Sequence, residues 1–163
     1  MSKENLVEYL GNKKSELKDL RLRDALLAKA VADIHRHTKQ KEIKYVPLSL
    51  ITPIHCIDRE AAINKVKERA SILMEHKQEL KKIKKLNKQT LLQYLPSISG
   101  IKVIKDDNDH YISFEGNGRV EAFKQVFDLN DDIQLEVEEY VLDDYEKVLR
   151  RVNRVRTRNF PDT

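Results

Sequence analysis

Apolar positions in the first part of the chain recur every three to four residues, which is the spacing of an amphipathic helix. Between residues 3 and 38 the clearest stripe is Leu27, Ala30, Val31 and Ile34. The pattern is interrupted near Gly11-Asn12, so we predict two helices in this segment. Together they form a predicted N-terminal helical extension over residues 1–40.

A short strand and a long helix are predicted next. Residues 45–50 have the composition of a strand. Pro47 and Pro53 confine it to a sheet edge or to strand ends, because proline has no amide hydrogen to donate. A helix then begins with Asp58 as its predicted N-cap. Its predicted apolar stripe consists of Ile63, Val66, Ala70, Leu73, Leu80, Ile83 and Leu86.

The second half of the chain changes to the two-residue period of β-strands. Residues 101–104 and 110–114 are two strand-like runs joined by turn-forming Asp and Asn residues, which predicts a β-hairpin. Residues 133–138 alternate apolar and polar side chains, as a half-buried strand does. Helical stripes cover residues 120–127 and the segment from Asp143 onward. These elements predict an α+β fold, with a small mixed β-sheet packed by helices.

The length and composition of the chain indicate a single folded domain. The chain has 163 residues, of which 31 are basic and 27 acidic, and its one cysteine is Cys56. A single cysteine excludes an intramolecular disulfide and leaves structural zinc without its usual thiolates. No apolar run approaches the ~20 residues of a membrane span, and the N-terminus holds no apolar secretory core. We therefore expect a cytoplasmic protein with no membrane partner, whose main domain covers residues 41–163.

The segment that points to chemistry connects the second hairpin strand to the following helix, with the sequence Glu115-Gly116-Asn117-Gly118-Arg119. The two glycines permit positive φ angles and close approach of a ligand. The first amides of the next helix, with the positive end of its dipole, predict an anion site here. Arg119 can donate two hydrogen bonds to a phosphate, and Glu115 could bind a metal ion or act as a base. The alternative is an ordinary tight connection in which Arg119 pairs with an acidic residue.

This turn and its surroundings resemble the ParB/sulfiredoxin-like superfamily. The family signature is a strand that ends in an acidic residue or glycine, then Gly, two variable residues, Arg, and Ala shortly afterwards, which residues 111–122 reproduce. Upstream, residues 46–53 resemble the first strand of the family, and Arg59 falls where ParB-type domains often carry an arginine. Downstream, Asn153 and Arg156 are similar to the Asn-x-x-Arg pair of the helix that closes the nucleotide site, and residues three apart share a helix face.

The resemblance implies a nucleotide-binding domain that takes ATP, ADP or CTP together with Mg²⁺. Glu115 is then the implied metal ligand and catalytic residue. Sulfiredoxin chemistry is not implied, because the position of that enzyme's reactive cysteine is occupied here by Asn117. The implied nucleotide- and phosphate-binding residues are Gly116, Asn117, Gly118, Arg119, Asn153, Arg156 and Arg59.

Other functions stay open at this point. A small-molecule phosphotransferase resembling the free serine kinases of the family would use Glu115 as its base. A nucleic-acid-binding or nuclease-like module would use the lysines of residues 81–88 and the arginines of the last helix. A non-catalytic partner module would use the N-terminal helices, and a homodimer is a further alternative.

Overall fold

The helical period of the N-terminal segment is confirmed in the part of it that the structure describes. The computed structural model describes residues 21–159, with side chains up to residue 156, and residues 21–37 form helix α1. Ala30 and Ile34 of the predicted stripe are fully buried. The break predicted at Gly11-Asn12 lies outside the described residues.

Six strands and five further helices follow α1 in the described part of the chain. The strands are β1 (Thr38–Pro47), β2 (Ile51–Pro53), β3 (Lys85–Leu86), β4 (Ile101–Lys105), β5 (Tyr111–Glu115) and β6 (Gln134–Leu142). The helices are α2 (Glu60–Glu75), α3 (Lys77–Ile83), α4 (Lys88–Tyr94), α5 (Asn117–Val126) and α6 (Tyr145–Asn159). The predicted α+β fold class is therefore confirmed.

The strands form one mixed sheet in the order β1-β6-β4-β5-β2, with β3 also pairing with β6. The predicted hairpin is confirmed as the antiparallel pair β4 and β5, whereas β4 runs parallel to β6. β4 begins at Ile101, opposite Val137 of β6, and β3 pairs with the first two residues of β6. Along β6, the parallel partner therefore changes from β3 to β4 near Ile101.

Helices cover both faces of the sheet, and strands such as β4 alternate their side chains between two cores. Val103 of β4 lies in the core under α2 to α5, and the next residue, Ile104, lies in the core under α1 and α6. Val66 and Phe123 complete the first core from the helical side, and Val152 belongs to the second. Among the described helices, none is both long and apolar enough to cross a membrane.

The first strand begins earlier than the sequence predicts. β1 already starts at Thr38, and residues 48–50 form a 3₁₀ turn instead of the end of a strand. β1 is an edge strand whose segment 39–44 is polar or charged apart from Ile43, so it lacks the apolar alternation that marks a half-buried strand. Residues 38–40, which the helical pattern had suggested as part of the N-terminal extension, are therefore strand.

The predicted N-cap of the second helix is wrong by one residue. α2 starts at Glu60, and Arg59 occupies the N-cap position without a side-chain capping bond. The carboxylate of Asp58 instead accepts a hydrogen bond of 2.7 Å from Arg23 of α1. A long-range partner has therefore displaced the local cap.

The predicted continuation of this helix to Leu86 is also wrong. α2 ends at Glu75, α3 follows, and the chain then turns at Lys84 with a φ of 63°. Leu86 is fully buried in β3, where it pairs with β6, whereas Ile83 is 48% exposed and lies outside the stripe. Helical spacing alone could not reveal that a buried leucine belongs to a two-residue strand.

Candidate anion-binding site

Gly116 makes the sharp turn from β5 into α5. Its φ of 82° and ψ of 18° are left-handed values, which glycine adopts at little cost. A Cβ at this position would lie 3.2 Å from the Cα of Ile101, so the neighbouring strand also excludes a larger residue. At the helix start, the Oδ1 of Asn117 accepts a hydrogen bond of 2.6 Å from the hydroxyl of buried Ser113. This bond ties the first turn of α5 to β5.

The first turn of α5 carries partial positive charge that no capping side chain neutralises. The amide of Val120 donates to the carbonyl of Gly116 at 3.1 Å, which is the first bond of the helix. The amides of the three preceding residues, Asn117 to Arg119, therefore come before the helical ladder. No side chain of the described residues forms a capping hydrogen bond at Gly116, and the helix dipole adds positive potential at the same place.

Arg119 is the buried cation of the site. The residue is 2% exposed, and its Nη2 donates a hydrogen bond of 2.7 Å to the carbonyl of Ser99. Among the described residues it forms no ion pair with a carboxylate, so the alternative in which Arg119 serves only an internal ion pair is not seen. Burial lowers the pKa of Arg119, the neighbouring Arg69 lowers it further, and Glu115 opposes both effects. The guanidinium therefore lacks full compensation of its charge.

A second arginine, Arg69 of α2, lies against the same turn and was not predicted. A Cβ on Gly118 would collide with the Nη1 of Arg69, so a side chain there would displace this guanidinium, although Gly118 does not have a positive φ. Arg69 is half-buried and pairs with no carboxylate in the described chain. One sequence signal could have suggested Arg69. It lies three residues after Val66 and four before Leu73, which places it on the helix face beside the predicted apolar stripe.

Arg119 lines a cavity of about 290 Å³, which we call the anion cavity. It lies at the start of β4, where β6 changes its partner. Strands, helices and the loop before β4 all contribute to its wall, which contains four cationic side chains and two carboxylates. The charged lining residues are Lys41, Lys88, Lys102, Arg119, Glu136 and Glu138.

Glu115, the predicted metal ligand and base, is held by a lysine of the neighbouring strand. Its Oε2 lies 2.8 Å from the Nζ of Lys102, and this interaction raises the pKa of Lys102 against the opposing effect of burial. The buried ring of Tyr140 lies beneath two ammonium groups, with Lys41 at 4.7 Å and Lys102 at 5.9 Å from its centre. Within residues 21–156 there is no group of three acidic, histidine or cysteine side chains that could hold a metal ion.

The other predicted nucleotide contacts lie elsewhere in the molecule. Arg59 forms an ion pair of 2.6 Å with Asp24 of α1 and borders a different cavity. Asn153 is exposed and Arg156 is half-buried on α6, which packs on the opposite face of the sheet from α5. The described lining of the anion cavity contains none of these three predicted contacts. Of the residues predicted for the site, only Arg119 is among the described lining of the cavity, since Glu115 and residues 116–118 lie at the adjacent turn. Lys41 and Lys102 of the lining, and Arg69 beside the turn, are cations that the sequence does not suggest.

The fold and this site define an α+β domain with a small cationic cavity at one end of its sheet. Comparison with known proteins assigns it to no family, since no protein-family model and no curated protein matches the chain. The resemblance to the ParB/sulfiredoxin-like superfamily therefore stays a prediction based on the residues of the turn.

Proposed function

We propose that the protein binds a nucleoside di- or triphosphate and that the anion cavity holds its terminal phosphate. The observation that carries this proposal is the state of Arg119, which is buried and has no carboxylate partner among the described residues. An unpaired buried charge is unfavourable by several kcal/mol, so a protein retains one where a ligand completes the pair.

The surroundings of Arg119 favour a phosphate. Arg69 and the first turn of α5 add positive charge beside Arg119, while the neighbouring carboxylate of Glu115 pairs with Lys102. A guanidinium matches the geometry of phosphate oxygens, and helix N-termini bind phosphate through their free amides. In the proposed complex, Arg119 contacts the terminal phosphate from the wall of the cavity, and the amides of Asn117 and Gly118 at the adjacent turn add positive potential.

The rim of the anion cavity favours a nucleotide over inorganic phosphate. Ile98 and Ile43 both line the cavity, and both are well exposed. Apolar side chains beside a cationic site provide a surface for the flat face of a base. The volume of about 290 Å³ is near the lower limit of small-molecule sites, so it suits the phosphates and leaves sugar and base at the rim.

We also propose that Mg²⁺ enters with the nucleotide. Magnesium usually keeps several waters and takes one or two protein carboxylates together with phosphate oxygens. Glu115 can supply one such carboxylate if its pairing with Lys102 is exchanged for the metal. A cytoplasmic location, which we propose in accordance with the single free thiol of Cys56, would offer both nucleotide and magnesium.

Isothermal titration calorimetry tests the proposal directly. ATP, ADP, CTP and GTP, each with and without Mg²⁺, are titrated into the parent protein and into Arg119→Ala. We expect binding of at least one nucleotide to the parent and a loss of on the order of 100-fold in the variant, since charge-assisted hydrogen bonds are removed. Arg154→Ala, which removes an arginine outside the cavity, is the matched control and should bind as the parent does. Absence of heat with all four nucleotides, or equal affinity in Arg119→Ala, would contradict the proposal.

A phosphotransferase or hydrolase remains a second proposal for the same cavity, because Glu115 borders the turn that would hold the phosphate. Glu115→Gln separates the two functions. If the protein turns nucleotide over, this variant should bind nucleotide but release no product in a phosphate-release assay. Binding without product in both proteins would leave the cavity a binding site only.

A further inference from the structure

A groove of about 400 Å³ between α1 and α6 has an almost entirely cationic wall, and we call it the basic groove. Its cations come from both helices, and no acidic side chain of the described residues lines it. It lies on the opposite face of the sheet from α5 and shares no lining residue with the anion cavity. The lining residues are Leu26, Lys29, Arg36, Arg151 and Arg154.

A buried carboxylate holds two of these guanidiniums in place. Asp33 is fully buried, its Oδ2 lies 3.0 Å from the Nε of Arg151, and its Oδ1 lies 3.4 Å from the Nη1 of Arg36. The side chains of Arg36 and Arg151 nevertheless stay 65% and 43% exposed. One carboxylate therefore orients two arginines from two helices and leaves the surface above it positive.

The charge of the chain is concentrated on this side of the molecule. The sequence of α6 contains six basic residues and one acidic residue, a net charge of +5, whereas the whole chain carries +4. The remaining residues therefore sum to a charge of −1, and two of the six basic residues of α6, Arg151 and Arg154, line the groove. Such segregation attracts a polyanion to one face and away from the others.

From this arrangement we infer that the basic groove binds the phosphate backbone of a nucleic-acid duplex, independently of the proposed nucleotide site. Three of its four cations are arginines, whose forked donors suit phosphate oxygens. Among the described lining residues there is no aromatic side chain on which unpaired bases could stack, so these residues favour a duplex over a single strand. Backbone contacts without base contacts imply binding that does not depend on sequence.

A membrane surface fits the groove less well. Helices that lie on membranes insert an apolar face into the lipid, but the apolar side of α6 is used in the core. Val148 and Val152 are fully buried against the sheet. An acidic protein is the other class of partner that a cationic groove could take, and the experiment includes it as a competitor.

Fluorescence anisotropy with a labelled DNA duplex of about 20 base pairs, at about 50 to 200 mM NaCl, tests the inference. We expect a dissociation constant within roughly 10⁻⁴ to 10⁻⁶ M at physiological salt and a steep loss of affinity with added salt. The test variant is Lys29→Gln with Arg154→Gln, two exposed residues without ion pairs in the described chain. Removing two phosphate contacts should weaken binding on the order of tenfold and reduce the salt slope by about 1.8.

Two comparison variants keep the result specific. Lys82→Gln with Lys84→Gln removes the same charge from an exposed basic cluster elsewhere and should bind as the parent does. Lys29→Arg with Arg154→Lys keeps the charge and should keep the slope, which shows that the charge of the two side chains carries the contacts. An RNA duplex should bind comparably, because the inferred contacts are to phosphates. The inference is overturned if the parent does not bind duplex at low salt, if the Lys82/Lys84 variant loses as much affinity, or if polyglutamate displaces the duplex as well as unlabelled duplex does.

Discussion

The anion cavity and the basic groove are both cationic, but they hold their charge in opposite ways. In the cavity, Arg119 is almost fully buried and forms no ion pair with a carboxylate of the described residues. In the groove, the arginines are exposed, and the only buried charge is Asp33, which is paired twice. A buried cation without a partner favours one well-placed small anion. Exposed cations are screened by salt, so several of them must contact the ligand together to bind it. The comparison suggests two ligands of different size for one chain.

The largest effect that separates the two regions should come from Arg119→Met. The change removes the buried charge but keeps much of the side-chain volume. Nucleotide affinity in calorimetry should fall by about 100-fold or more. The free energy of unfolding should not decrease, because loss of a desolvated charge offsets the lost bond to Ser99. Duplex binding in anisotropy should be unchanged. Retained nucleotide affinity, or a parallel loss of duplex binding, would remove the distinction.

Asp33→Asn is the corresponding change in the groove, and its stability and binding effects should have opposite signs. Loss of the buried carboxylate leaves Arg36 and Arg151 without their partner, so unfolding in urea should become easier by about 1–2 kcal/mol. Duplex affinity should rise, because the negative charge that is buried beneath the groove is removed. Nucleotide affinity serves as the control and should stay constant. A fall in duplex affinity with an intact fold would mean that the orientation of the arginines matters more than their charge.

A smaller effect is expected from Gly118→Ala, which tests the role of Arg69. The new Cβ would push the Arg69 guanidinium away from the first turn of α5, so nucleotide affinity should fall by roughly fivefold. The free energy of unfolding should hold or rise slightly, because alanine is favoured in a helix by up to about 1 kcal/mol. Gly116→Ala is the matched variant and should destabilise by more than about 1 kcal/mol, because its left-handed backbone and the nearby Ile101 penalise a Cβ. Equal stability losses at both glycines would contradict the division of roles.

The smallest expected change is the effect of salt on nucleotide affinity at the anion cavity. Raising NaCl from about 50 to about 200 mM should weaken nucleotide binding by less than about threefold, since buried charges are screened little. The same change should weaken duplex binding by about tenfold or more. Parallel titrations by calorimetry and anisotropy make this comparison. Equal salt slopes for the two ligands would show that both bind to exposed charge.

Local patterns in the sequence were enough to predict the fold class, the hairpin of β4 and β5, and the turn at Gly116. In each case neighbouring residues carry the information, such as the alternation in β6 or the glycine that permits a φ of 82°. The start of β1 and the whole of β3 were missed because pairing with β6, and not an apolar pattern of their own, makes these residues strand. The N-cap at Asp58 failed for a similar reason, since a distant arginine takes the carboxylate.

The candidate site was only partly visible in the sequence for the same physical reason. The five-residue turn is continuous, so its glycines and Arg119 could be recognised from their order. Arg69 approaches the turn through the packing of α2 on α5, and Lys41 and Lys88 reach the cavity from β1 and α4. Contacts between residues that are distant in the chain cannot be predicted from a local sequence pattern. Arg59, Asn153 and Arg156 show the converse, because a matching spacing did not place them at the cavity.

The close approach of Arg69 to Gly118 links two positions that are far apart in the chain. A side chain at position 118 and a long side chain at position 69 would compete for the same space. In divergent descendants of this protein the two positions should therefore covary, with a larger residue at 118 accompanied by a shorter one at 69. Changing positions 69 and 118 together would also allow the anion affinity of the turn to be adjusted by design.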